Sequence, residues 1–142
     1  MKIGTDYLKE DGRIKLFLIT QALKARTENI RVFQEGSYIP LETGGKFSDH
    51  IIAFARTHGD EQIITIAPRF LTSVIQPGEY PLGLSVWDDT YISLPPSASL
   101  VWQDSITGEK VKADKSMAVG EALQNFPVAL LKNCNSDQKT WR

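Results

Sequence analysis

The apolar positions of this chain change their period once. From Arg13 to Glu28 they recur with helical spacing, and beyond Asn29 they fall into short alternating or continuous runs divided by Gly, Pro and Asp. Residues 1–10 read as an irregular lead-in, and Asp11-Gly12 offers the N-cap that opens the helix. The apolar set of this helix is broad. Ile14, Phe17, Leu18, Ala22 and Ala25 cover one arc and Leu16, Ile19 and Leu23 another, leaving Lys15, Lys24 and Arg26 on a narrow polar strip. A helix that is apolar on two sides calls for two packing partners.

The remaining segments predict a meander. Residues 38–42 read as a strand leading into a Gly44-Gly45 turn. Residues 50–56 alternate, and Gly59-Asp60 closes a hairpin into 62–67. Residues 71–90 hold Pro77, Gly78, Pro81 and Gly83, an irregular excursion of the kind that often serves function or an interface. Strands resume at 91–94, 100–103 and 110–112, separated by Pro95-Pro96 and Thr107-Gly108 turns; a helical turn over 118–125 and a last strand at 127–131 follow. One helix followed by six or seven short antiparallel strands predicts a mainly β protein, an antiparallel β-sandwich with an appended helix.

Composition narrows the function classes. At 142 residues and 42% hydrophobic content the chain can bury one core without a staple. Cys134, the single cysteine, is a spare thiol with no second cysteine for a disulfide or zinc module, which favours a reducing, cytoplasmic setting. Sixteen basic and seventeen acidic residues are spread evenly, so no basic face for nucleic acid is expected. No apolar run is long enough to cross a membrane.

Candidate chemistry is sparse. His50 and His58, the only histidines, are too far apart along one strand to share a metal ion. No G-x-S-x-G elbow and no phosphate-binding glycine pattern occurs, and the acidic pairs Glu10-Asp11, Asp60-Glu61 and Asp88-Asp89 lie in turn contexts where solvated carboxylates are the rule. The exception is a group of aromatics, Tyr80, Trp87 and Tyr91, close together in the irregular excursion. They are the candidate sugar-stacking surface, with core filling as the competing role for Trp87 and Trp102.

Certain segments also carry a resemblance. DGRIKLFLITQALKAR at 11–26, RTENIRVFQEGSYIPLE at 26–42, HIIAFAR at 50–56, VWDDTYISLP at 86–95, WQDSITGE at 102–109 and FPVALL at 126–131 resemble the extreme C-terminal end of the maltooligosyl trehalose synthases, members of the α-amylase superfamily. The R-x-x-N, F-x-x-G-x-Y and A-F-A-R words are those of the superfamily. YIPLETGG, W-x-D-T with I-x-L-P, W-x-D-x-x-T-G and P-V-A-L-L are narrower.

The resemblance implies a division of labour. In that family a (β/α)8 barrel carries the catalytic carboxylates and a C-terminal β-sandwich packs on it. Residues 1–30 would then be a lead-in and the last barrel helix, and 31–142 the sandwich. The barrel motifs do not occur in this chain, so no catalytic residue is carried over, and Met1 stands where several hundred family residues would already have passed. The implied parent reaction converts the reducing-end α-1,4 link of a maltooligosaccharide to α,α-1,1 by a retaining mechanism, without metal, nucleotide or redox cofactor. Implied partners are the barrel and, for the aromatics, a maltooligosaccharide. Without a barrel, self-association through helix 13–28 is expected. The competing functions are a stand-alone α-glucan-binding module and an interaction domain that complements a separate barrel.

Overall fold

The computed structural model describes residues 13–95 and 100–134, apart from the side chains of Arg13 and Ile14. Helix α1 (Arg13–Glu28) and the short α2 (Ile30–Glu35) precede nine strands: β1 (Ser37–Pro40), β2 (Thr43–Gly44), β3 (Ile51–His58), β4 (Glu61–Pro68), β5 (Tyr91–Ser93), β6 (Val101–Asp104), β7 (Lys110–Lys112), β8 (Ser116–Ala118) and β9 (Ala129–Asn133). Two further helical turns, α3 (Leu84–Trp87) and α4 (Val119–Ala122), punctuate the second half. The Asp11-Gly12 cap lies outside the described residues.

All strand pairs are antiparallel. They form a six-stranded sheet in the order β1-β3-β4-β9-β6-β7 and a three-stranded sheet in the order β2-β5-β8. The larger sheet is buried on both faces. On one, Ala53, Ala55, Ile64, Ile66, Trp102 and Leu131 meet Ile92 and Met117 of the smaller sheet, which makes the sandwich core. On the other, Ile63 and Leu130 pack with Ala25 of α1 and Val32 of α2, beside Ile106 and Phe126, with Phe17 against the Phe126 ring at 5.6 Å. Burial on both faces explains why Ile63-Ile64 and Leu130-Leu131 interrupt simple alternation in the two central strands.

Two polar residues fix the helical layer to the sheet. Asn29, buried between α1 and α2, donates from Nδ2 to the Ala25 carbonyl at 2.9 Å and accepts from Lys132 Nζ of β9. Arg56 of β3 donates from its guanidinium to the carbonyls of Phe33 (2.8 Å) and Gly36 (3.1 Å), satisfying the C-terminal end of α2 where a cation also suits the helix dipole. Replacing Asn29 with leucine strands the Lys132 ammonium and is expected to cost about 2 kcal/mol in urea unfolding. An Asn29→Leu protein as stable as the parent would show that this joint is dispensable.

The expected strands are all present, with ends shifted by one or two residues. The 38–42 segment ends at Pro40, His50 sits in a 3-10 turn (Ser48–His50) ahead of β3, and the last strand runs on to Asn133. β2 and β8, two and three residues long, were too short to show a period. The 71–90 excursion contains a 3-10 turn at Leu71–Ser73 and α3.

Candidate functional site

The outward side of α1 is an uncovered apolar surface. Its sheet-facing arc packs Phe17, Leu18 and Ala25 into the second core. The opposite arc leaves Leu16, Ile19 and Leu23 at 64, 47 and 57% exposure. At three- and four-residue spacing these side chains form one stripe along the helix. The two arcs read from the sequence are therefore both real, and one of them is uncovered.

Between α1 and the 104–109 turn runs an open groove of about 490 Å3, with Phe17, Ala25 and Ile106 along its apolar side and Lys24 and Lys132 at its rim. Gln21 spans it, donating from Nε2 to the carbonyls of Ile106 (3.2 Å) and Ser105 (3.4 Å). Beneath lies Asp104, 3% exposed. Its Oδ1 accepts from the Ile106 backbone N–H at 2.9 Å and, at a long 3.4 Å, from that of Leu130. Burial pushes this carboxyl up from its ordinary 3.8 to about 6, the backbone donors Ile106, Leu130 and Thr107 opposing the rise and the Glu109 charge adding to it. The carboxylate is engaged by the turn it organises and has no nucleophile–base geometry around it. Sequence reading passed over Asp104, although its alternation with Trp102 already placed it on an inward face.

The three aromatics differ in exposure. Trp87 is fully buried: its Nε1 donates to the Pro81 carbonyl at 2.9 Å, and Phe47 meets it edge-on at 6.2 Å. Neither ring face is open to a ligand, so the core-filling role holds for Trp87. Tyr80 is half-buried. Tyr91 is 41% exposed on the outer face of the smaller sheet, opposite Gly44 on β2 and Ala118 on β8. A Cβ at Gly44 would come within 2.4 Å of the Tyr91 ring, so glycine is what allows the ring to lie flat there.

The acidic pairs behave as turn residues. Asp89 Oδ1 accepts from the Lys46 N–H at 2.8 Å, Thr90 Oγ1 accepts from the Phe47 N–H, and Asp88, at φ 56°, ends α3 with a long 3.9 Å pairing to Lys46. The Glu10-Asp11 pair lies outside the described residues. His50 Nδ1 lies 3.3 Å from the Arg69 carbonyl and His58 Nε2 3.4 Å from Glu35. Among the described residues no group of three potential ligands could hold a metal ion, and no helix is long and apolar enough to cross a membrane.

The fold defines a two-sheet antiparallel domain with α1 and α2 layered on its larger sheet. Comparison with known proteins gives the same class and a narrower likeness. No family model matches the chain. Proteins of two Mycobacterium tuberculosis strains that carry the name maltooligosyl trehalose synthase are 29% identical over 122 residues, which is 86% of this chain and 14% of theirs. The structures of the maltooligosyltrehalose synthase from Arthrobacter ramosus and of a point mutant of that enzyme superpose with a TM-score of 0.63 at 25% identity, covering 85% of this chain and 14% of those. A maltogenic alpha-amylase from Thermotoga neapolitana shares the fold at a TM-score of 0.51 and 12% identity, over 87% of this chain and 24% of its own. This chain thus spans about one seventh of the synthases it resembles.

Proposed function

We propose that this chain is the noncatalytic C-terminal domain of a maltooligosyl trehalose synthase-like enzyme of the cytoplasm, and that the outer stripe of α1 is where it meets the catalytic barrel. The observation that carries this reading is the stripe itself. Leu16, Ile19 and Leu23 stand uncovered in one row on a helix whose opposite side is packed into the second core. The similarity to a small share of each synthase supports it. In this role α1 belongs to both partners: its inner face anchors the sandwich, its outer face is buried by the barrel, and the chemistry resides in the barrel.

A graft tests the reading. The chain replaces the matching segment of the Arthrobacter ramosus enzyme, and trehalosyl product from maltopentaose is measured. We expect the graft to be active and the isolated chain to be inactive. Ile19→Asp should lower soluble, active graft at least about tenfold while shifting the stability of the isolated, already exposed site by no more than about 0.5 kcal/mol. An Ile19→Asp graft with full activity would contradict the reading.

A second reading, α-glucan binding by this chain, rests on the Tyr91 ring held open over Gly44. It predicts saturable amide shifts around Tyr91 on addition of maltopentaose and their disappearance in Tyr91→Ala. A spectrum unchanged by the sugar would remove it.

A further inference from the structure

We infer that the 104–109 segment is a proton-controlled strap that fastens α1 to the larger sheet: neutral Asp104 holds it shut, and ionised Asp104 loosens it. This does not depend on what covers the outer stripe of α1.

The strap joins β6 to β7 and is held at few points. Ile106 is buried beside Ala25 of α1 in the second core, and Gln21 of α1 reaches the Ser105 and Ile106 carbonyls. At its far end, Asn125 Nδ2 donates to both carboxylate oxygens of Glu109 at 2.7 Å. Asp104 lines the groove beside α1 and also a second recess of about 380 Å3 next to α4. A segment with few buried contacts and open space on two sides is the kind that opens locally.

Asp104 connects this segment to the helix through one residue. Its Oδ1 accepts from the Ile106 N–H, and the Ile106 carbonyl accepts from Gln21, so a continuous run of hydrogen bonds leads from the carboxyl to α1. The carboxyl is 3% exposed and no cation pairs with it, so the neutral form suits the closed strap better than the ionised form. The groups that face it do not reverse this. Glu109 adds negative charge, exposed Lys110 follows it, and Glu121 of α4 lines the second recess with them. On the groove side, Lys132 of β9 is bonded to Asn29, and Lys24 and Glu28 of α1 carry opposite charges.

Opening the strap hydrates the carboxylate, and the sign follows. A group that titrates at about 6 when closed and at 3.8 when open favours the closed form fully below about pH 4, and this preference is lost as the pH rises through 6. Ile106 and the Gln21 bonds leave with the strap, so α1 loses part of its hold on the sheet in the same step.

Amide hydrogen exchange of the whole chain, followed by NMR from pH 4 to pH 7 and corrected for intrinsic rates, tests this. The amides of Ser105, Ile106 and Gly108 should exchange through an opening of lower free energy than those of β3 and β4. Their protection should fall at least about tenfold as the pH rises from 4 to about 6 and level off beyond, with residues 21–25 of α1 falling alongside. In Asp104→Asn this pH dependence should vanish from both segments; the parent profile carries the test if that variant does not fold. Strap amides that exchange only together with β3 and β4 would leave no separate opening. Residues 21–25 that fail to follow the strap would uncouple the helix from it, and a pH dependence that survives Asp104→Asn would belong to another group. Each of these results overturns the inference.

Discussion

Alanine at Asp104 is expected to destabilise the domain by about 3 kcal/mol at pH 4 and by less at pH 7, because it orphans the buried N–H of Ile106 and removes the acceptor that closes the 104–109 turn. Asparagine keeps the Oδ1 acceptor and separates the hydrogen bond from the charge. The folded carboxyl, at about 6, holds its proton more tightly than an unfolded aspartate at 3.8. Stability from this group is therefore fully present below about pH 4 and lost as the pH rises through 6. Asp104→Asn has no such loss. Its stability relative to the parent should rise by roughly 2–3 kcal/mol between pH 4 and pH 7, the linkage value of a shift of about two units. Urea unfolding at the two pH values measures this directly, and a pH-independent difference would show that burial does not perturb Asp104.

Trp87→Ala is the second large effect, at about 4 kcal/mol, enough to leave much of the domain unfolded near 37 °C. The indole is fully buried in the sandwich core, packs edge-on against Phe47 and holds the 81–87 segment through its bond to Pro81. Trp87→Phe retains most of the buried area and loses that bond, so a cost of about 1–2 kcal/mol is expected. Were Trp87 a sugar platform instead, both substitutions would leave unfolding unchanged and affect only glucan affinity.

The contrast between Trp87 and Tyr91 shows what the chain disclosed before its fold was known. The doubly apolar helix was legible because side-chain direction repeats along an α-helix, so Leu16, Ile19 and Leu23 separate from Phe17, Leu18 and Ala25 by counting alone. The hairpin around Gly59-Asp60 and the strands it joins were legible for the same reason, with a period of two. Which aromatic faces water was not. Trp87 lies at the end of a four-residue helix in an irregular segment, where no period applies, and its burial is decided by Phe47, forty residues earlier in the chain. Asp104 escaped notice because its burial depends on the turn that folds over it, and on Leu130 arriving from the last strand. The likeness to the synthases covers about one seventh of their length, and only the solvent exposure of the helix shows which arc of α1 is uncovered.

Radical footprinting of α1 tests the central claim most directly, comparing the isolated chain with the active graft in the Arthrobacter ramosus enzyme. The account predicts that Leu16, Ile19 and Leu23 are readily modified in the isolated domain and at least about fivefold protected in the graft, while Tyr91 is modified equally in both. Equal modification of the stripe in the two proteins would mean that the barrel does not cover α1, and would contradict the account.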